Sequence, residues 1–462
     1  MKAPNAAVVL ALLSEGASAT SLGRHSPSVT CVSNSALAPW CMVLPESASD
    51  VSSIVKVLTK NDCPFGMRSG AHSAWAGANS IADGVTVDFG YMNTTTYDDE
   101  AKIARIRPGS TWGHVLSSLD PYGVTAVGGR VSVVGYSFYS SREGFACDSV
   151  ANFEVVLGDG SIINANAKKN SDLFRSLKGG SGNFGFITRV DQYVVESNTM
   201  WAARQVYNTT QKNELFDAYF NFANNQSEDD ASQNMVSYIY NADGFNLVAV
   251  LSNIDSSPEA AAFDEYMSIE PILSLSRVDL VSNLVVKSTG PAALGVYTTW
   301  LVGMTAHNRR VMDLINQAQI EYVEKMKEAA PDSNFVLHVQ FQPVTCSIVD
   351  HSIAKGSNVL SLEDIVADGP SIMWLVEFTV DTLETQEQIL PLCLEFRDAI
   401  NHIADENGAQ KNWDFLNYAN GDQGPISMYG AKNVAFLQSV SAKYDRRQVF
   451  QRLRKTDFKL PE

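Results

Sequence analysis

The sequence predicts an α+β protein in which an antiparallel sheet is covered by helices and joined to a second unit of short alternating elements. Three observations carry this. Strands group into hairpins, Phe153 to Asn166 turning at Asp159-Gly160 and Met235 to Leu251 turning at Asp243-Gly244. Two long amphipathic helices, Arg309 to Ala329 and Glu384 to Glu406, stand apart from those hairpins. At 462 residues, 45% of them hydrophobic, the chain exceeds one ordinary domain.

From the N-terminus, Lys2, the apolar run Ala6 to Leu13 and the small residues Ala17-Ser18-Ala19 fit a signal peptide over residues 1–19, and hence a secreted protein. The run is too short to span a bilayer. Asn93, Asn208 and Asn225 then become glycan acceptors. Ser49 is a candidate cap for a helix carrying Val51, Ile54, Val55 and Leu58 on one face. Strands follow at Gly84 to Phe89 and Ile103 to Pro108, and a helix over Thr111 to Leu119. Asp172 to Leu177 begins a helix that a glycine cluster stops. A second region starts near Met200 with a strand over Trp201 to Tyr207 and a helix over Leu215 to Phe222. Strands at Phe335 to Phe341 and Ile372 to Val380 lie between the long helices. A third region, from Asn412, holds an aromatic strand, Trp413 to Tyr418, and a helix around Asp445 to Leu453. It is too short to be a domain and is expected to complete another.

The formal net charge is −17, which disfavours nucleic acid and anionic membranes as partners. None of the six cysteines is spaced C-x-x-C and no histidine stands near a pair at zinc spacing, so no metal site is indicated. Cys41 and Cys63 flank one helix and are the first pair expected to form a disulfide. Neither G-x-S-x-G nor H-E-x-x-H occurs, which leaves a hydrolase without support.

Three clusters carry chemistry. The first, Phe65 to Gly77, reads FGMRSGAHSAWAG. A strand end enters a loop of small residues whose free N–H groups let an anion approach. Arg68 adds a charge suited to a diphosphate, and His72 stands among small neighbours. A loop histidine alone is usually a surface residue; the surrounding loop reverses that. The second, Gly179 to Gly185, reads GGSGNFG and contains G-x-G-x-x-G. A dinucleotide fingerprint must follow a strand and open a helix; here a helix precedes and a strand follows, which removes the support for a nicotinamide dehydrogenase. A plain glycine turn and backbone contact with a flat ligand both remain. The third, Trp413 to Tyr418, reads WDFLNY and places Asn417 and Tyr418 on opposite faces if it is a strand.

In this order, with EVVLGDG from Glu154, DLFRSLKGGSGNFG from Asp172 and YDRRQVFQ from Tyr444, the clusters resemble the berberine bridge enzyme-like branch of the FAD-binding PCMH-type (vanillyl-alcohol oxidase) family, over nearly the whole chain after Cys41. The resemblance implies a two-lobed FAD-binding domain from residues 37–196 completed by 409–462, and a substrate domain over 197–408. It implies FAD bound covalently through His72, with Arg68, Ser69, Gly70, Ala71, Ser73, Gly77, Val131, Gly135, Asp148, Gly182, Asn183, Gly185, Ile187 and Asn417 around it. Some members carry a second, cysteinyl link; its place here is Val131, so a single bond is expected. Tyr418 matches a catalytic base. An unperturbed tyrosine titrates near pH ~10, so a neighbouring charge or donor has to lower its proton affinity. The implied activity is hydride transfer from a small alcohol, sugar or secondary metabolite to FAD, with reoxidation by dioxygen.

Two departures bear on cofactor binding. Gly135 passes straight into Tyr136, about nine residues short of the family's glycine-rich stretch. A misplaced exon boundary and a degenerate member that binds FAD weakly or not at all, without catalysis, both account for it; intact catalytic positions favour the first. Ala71 stands where a glycine is usual, and its methyl is strained if φ there is positive.

Overall fold

The computed structural model describes residues 37–130, 136–289, 295–356 and 358–462. The proposed signal peptide, Cys31, Val131 and Gly135 lie outside them. The chain forms three sheets. The smallest is parallel and orders Cys41–Val43, Val85–Asp88 and Phe65–Arg68, with Val85–Asp88 central. The second is antiparallel and runs Thr95–Asp98, Ile103–Ile106, Phe186–Glu196, Val150–Val156, Ile162–Asn166, with Val124–Ala126 also on Phe186–Glu196. The third has eight antiparallel strands, in the order Leu273–Leu280, Thr199–Tyr207, Gly244–Asn253, Ser232–Asn241, Phe335–Val344, Ser371–Val380, Tyr297–Ala306, Gln410–Lys411. Both predicted hairpins are present at their predicted turns, with Gly160 and Gly244 at positive φ.

The large sheet is covered on one face by the helices Lys212–Asn225, Arg309–Ala329 and Leu383–Glu406. Asn308 starts the second of these, accepting from the Val311 N–H at 3.2 Å. Its buried residues Val311, Ile315, Ala318, Val323 and Met326 recur at helical spacing and pack on Phe341, Trp374 and Phe378. Gly303 lets the Trp374 ring lie flat on its strand; a Cβ there would stand 2.2 Å from the ring. The other face turns toward the two smaller sheets, and its Val302, Met304, Met373 and Leu375 share a core with Phe145, Trp413 and Tyr429.

The C-terminal residues return to the first lobe. Phe65 pairs in parallel with Arg454, donating to the Leu453 carbonyl and accepting from the Lys455 N–H. Three local expectations are corrected. Ser47, not Ser49, caps the first helix, Ala48–Lys60, because its hydroxyl reaches the Asp50 N–H at 3.2 Å. Trp413 to Tyr418 is not a strand: the segment is extended and then turns, the Tyr418 N–H donating to the Phe415 carbonyl. The helix expected around Asp445 to Leu453 is present as the short helix Val449–Arg452, and a longer one, Gly430–Tyr444, precedes it; Asp445 ends the longer helix and caps the short one through the Val449 and Phe450 N–H groups. Cys41 and Cys63 are free thiols in one apolar core, and burial pushes each up to about 11. Among the described residues no helix is long and apolar enough to cross a membrane.

Candidate active site

Strand Phe65–Arg68 delivers the first cluster beside Asp88. The register pairs Arg68 with Asp88, and the buried guanidinium binds that carboxylate through Nε (2.8 Å) and Nη2. Arg68 therefore lines the site with its charge already neutralised, a correction to its reading as a free diphosphate partner. Beyond it, the Ser69 hydroxyl donates to the Pro108 carbonyl and Asn79 Nδ2 to the Ser73 carbonyl. Ala71 has φ +55°, so the strain anticipated from its methyl is present.

A cavity of about 610 Å³ opens between the two smaller sheets, within the roughly 300–1,000 Å³ of cofactor sites. It gathers Arg68, Ser69, Gly70, Ala71, His72 and Ser73 from the first cluster, Gly182, Gly185 and Ile187 from the second, and Asn417 from the third. Gly77, Asp148, Asn183 and Tyr418 do not line it. Asp148 is buried and holds the Phe145 N–H and Asn358; Asn183 clamps the chain end through Phe458, Gln451 and Arg454. Gly77, at φ +92°, shapes the loop exit. Gly185 serves packing, since a Cβ there would meet Val155 at 2.5 Å. Cavity residues missed from sequence are Arg107, Ser110, Trp112 and Gln192. Their signal was available: Arg107-Pro-Gly-Ser is a second strand-to-helix turn of small residues.

Three polar atoms of cavity-lining residues are buried without hydrogen-bond partners: His72 Nδ1, Ser110 Oγ and Gln192 Oε1. Gln192 is fixed by its amide N–H groups on the Val127 and Ala146 carbonyls, which leaves its oxygen as a preset acceptor. Burial lowers the His72 pKa below the usual imidazole range, which favours the neutral ring. Orphaned buried atoms of this kind are what a bound polar group satisfies, and these residues fit FAD. Among the described residues no cluster suits a metal ion.

Beyond His72 lies the large sheet. The Trp300 ring is 4.9 Å from His72 and meets Tyr418 edge-on at 5.9 Å. Trp300, Glu377 and His338 sit directly opposite one another on three adjacent strands and share a face. Burial pushes the Glu377 carboxyl up, but its neighbours together, foremost the His338 ring 3.4 Å away, hold it below its usual range. Gln423 ties the Tyr418 turn to this sheet, bonding the Val302 carbonyl and the Asp414 carboxylate at 2.7 Å each. Arg130 and Tyr136, which flank residues 131–135, meet through a 3.1 Å backbone bond, with the guanidinium 4.2 Å over the tyrosine ring.

Residues 39–166 match the FAD binding domain model FAD_binding_4. The chain is 33% identical over 92% of its length to the FAD-dependent monooxygenase sdcF of Emericella nidulans, covering 91% of that protein. Xylooligosaccharide oxidase from Myceliophthora thermophila shares the fold with a TM-score of 0.75 at 16% identity, covering 99% of this chain and 100% of that one. Berberine bridge enzyme from Eschscholzia californica does so with a TM-score of 0.70 at 14% identity, covering 92% and 91%. The chain thus belongs to the FAD-binding PCMH-type family and is an FAD-dependent oxidoreductase.

Proposed function

We propose that the protein is an oxidase that carries FAD covalently on His72 and oxidises a small organic substrate, an alcohol, a sugar or a secondary metabolite, with dioxygen as the final acceptor. The observation that carries this reading is the partnerless buried Nδ1 of His72 on the wall of the cavity, in a ring whose burial favours the neutral form. Only a neutral imidazole has a lone pair with which to form such a bond. When bound, FAD would accept one hydride, which carries both electrons, from a substrate carbon.

The chain's own residues orient the substrate and handle its proton. Trp300 offers a flat apolar surface between His72 and Tyr418. Tyr418 takes the proton of the substrate's hydroxyl or amine as the adjacent C–H is oxidised. The ionised Glu377 beside Trp300 favours substrates that present a hydrogen-bond donor or a positive charge. Secretion belongs to the same reading: Asn93, Asn208 and Asn225 are all exposed, as glycan acceptors must be. Digestion with an endoglycosidase should lower the mass of the protein secreted by its host.

Acid-precipitated protein that stays yellow and carries the FAD mass on the peptide containing His72 is the expected result; a colourless precipitate refutes covalent attachment. The relative's printed name favours a second reading, monooxygenation. Turnover under labelled dioxygen separates the two. An oxidase releases all the label as hydrogen peroxide, whereas a monooxygenase puts one labelled atom into product.

A further inference from the structure

The two edges of the eight-stranded sheet are finished differently. One ends in the two-residue strand Gln410–Lys411, beyond which the chain folds back over the first lobe. The other ends in Leu273–Leu280, eight residues paired without interruption to Thr199–Tyr207 and, among the described residues, open on the far side. Leu273, Leu275 and Val278 are 46%, 58% and 50% exposed, and Ile272, Met267 and Val286 beside them are exposed as well. These six make up nearly half of the thirteen exposed large hydrophobic residues, although they fall within twenty positions of the chain.

Open edges are normally protected by a bulge, a proline or inward-pointing charges, because their unpaired N–H and C=O groups recruit other strands. None of these devices interrupts Leu273–Leu280; Pro271 precedes it. The local charge also differs from the rest of the chain. Across residues 267–287, Arg277 and Lys287 balance Glu270 and Asp279, so the stretch carries no net charge in a protein of net charge −17. Two copies therefore approach at this edge with less repulsion than elsewhere.

We propose that this edge pairs with the same edge of a second copy about a twofold axis, forming a homodimer in which Ser276–Leu280 of the two copies run antiparallel. An axis passing at Val278 sets Val278 against its counterpart and each Arg277 opposite the partner copy's Asp279, so both ion pairs form reciprocally. Arg277 and Asp279 share a strand face with Leu273 and Leu275. Those leucines then run toward the other copy's helix Val281–Thr289, where Val286 is exposed.

Light scattering on the purified full-length holoprotein across a concentration series tests this. The expected mass is twice that of the chain. Leu275→Lys combined with Val278→Lys should give a monomer with unchanged circular dichroism and unchanged flavin content. Arg277→Asp should weaken the dimer at least tenfold, and adding Asp279→Arg should restore it. A wild-type monomer at every concentration overturns the proposal. So does a dimer that survives the double lysine variant, or one indifferent to both charge variants.

Discussion

On the loop side of the cavity, residues 68–77 are held by backbone geometry and by a few bonds to distant segments: Arg68 to Asp88, Ser69 to the Pro108 carbonyl, Asn79 to the Ser73 carbonyl. On the sheet side, Trp300, Glu377 and His338 are held by ladders ten residues long that no single side chain maintains. The loop brings small residues and a histidine close to a ligand at a cost in backbone strain, which Ala71 makes visible. The sheet presents bulky and charged side chains at fixed spacing, so its chemistry can change residue by residue without disturbing its shape. Under the proposed function, cofactor attachment would depend on a fragile element and substrate choice on a robust one.

That contrast predicts a series of effects. His72→Ala removes the whole covalent adduct, read as loss of the FAD mass from intact acid-treated protein. Arg68→Ala leaves Asp88 as a buried unpaired charge and should cost about 3–5 kcal/mol in urea unfolding. Glu377→Gln on the sheet wall should stay within about 1 kcal/mol of wild type, because the carboxylate is 35% exposed. Equal losses for the two would erase the distinction between the walls.

Tyr418 joins the walls through its turn, and Tyr418→Phe should slow flavin reduction by at least ~100-fold in stopped flow, with flavin content unchanged. Asp414 in the same turn gives a pH signature. Burial raises its carboxyl from 3.8 to about 6, so the folded state holds the proton more tightly than the unfolded one. The stability this lends is fully present below pH 3.8 and is lost as pH rises through about 6. Asn at this position still accepts from Gln423 and does not ionise. Between about pH 4 and 8, wild type should thus fall relative to Asp414→Asn by up to ~3 kcal/mol in urea midpoints converted to free energy. Smallest of all, Ala71→Gly should stabilise by about 0.5 kcal/mol, the relief of αL strain less the added freedom of the unfolded chain.

Much of this site is legible in the sequence because the loops that carry it are local. FGMRSGAHSAWAG reads as a ligand loop in combination with the other two clusters, and the helix before GGSGNFG and the strand after it already argue against a dinucleotide fold. Where the reading failed, a contact between distant segments decided the outcome. Arg68 looked like a free cation because Asp88 is twenty residues away, and only the parallel register brings them together. WDFLNY has the composition of a strand but lacks a neighbouring edge to pair with, and Gln423 pins it to Val302 as a turn.

The sequence by itself determined the fold class, the hairpins, the long helices and the family, since these rest on periodicity, turn chemistry and ordered short motifs. Only the tertiary structure decided which candidates meet. It set Trp300 between His72 and Tyr418, placed Glu377 and His338 beside them, and left one edge of the large sheet open. The reason is that cross-strand register and domain packing are set by the sum of many contacts far apart in the chain, and no local window of residues contains that sum.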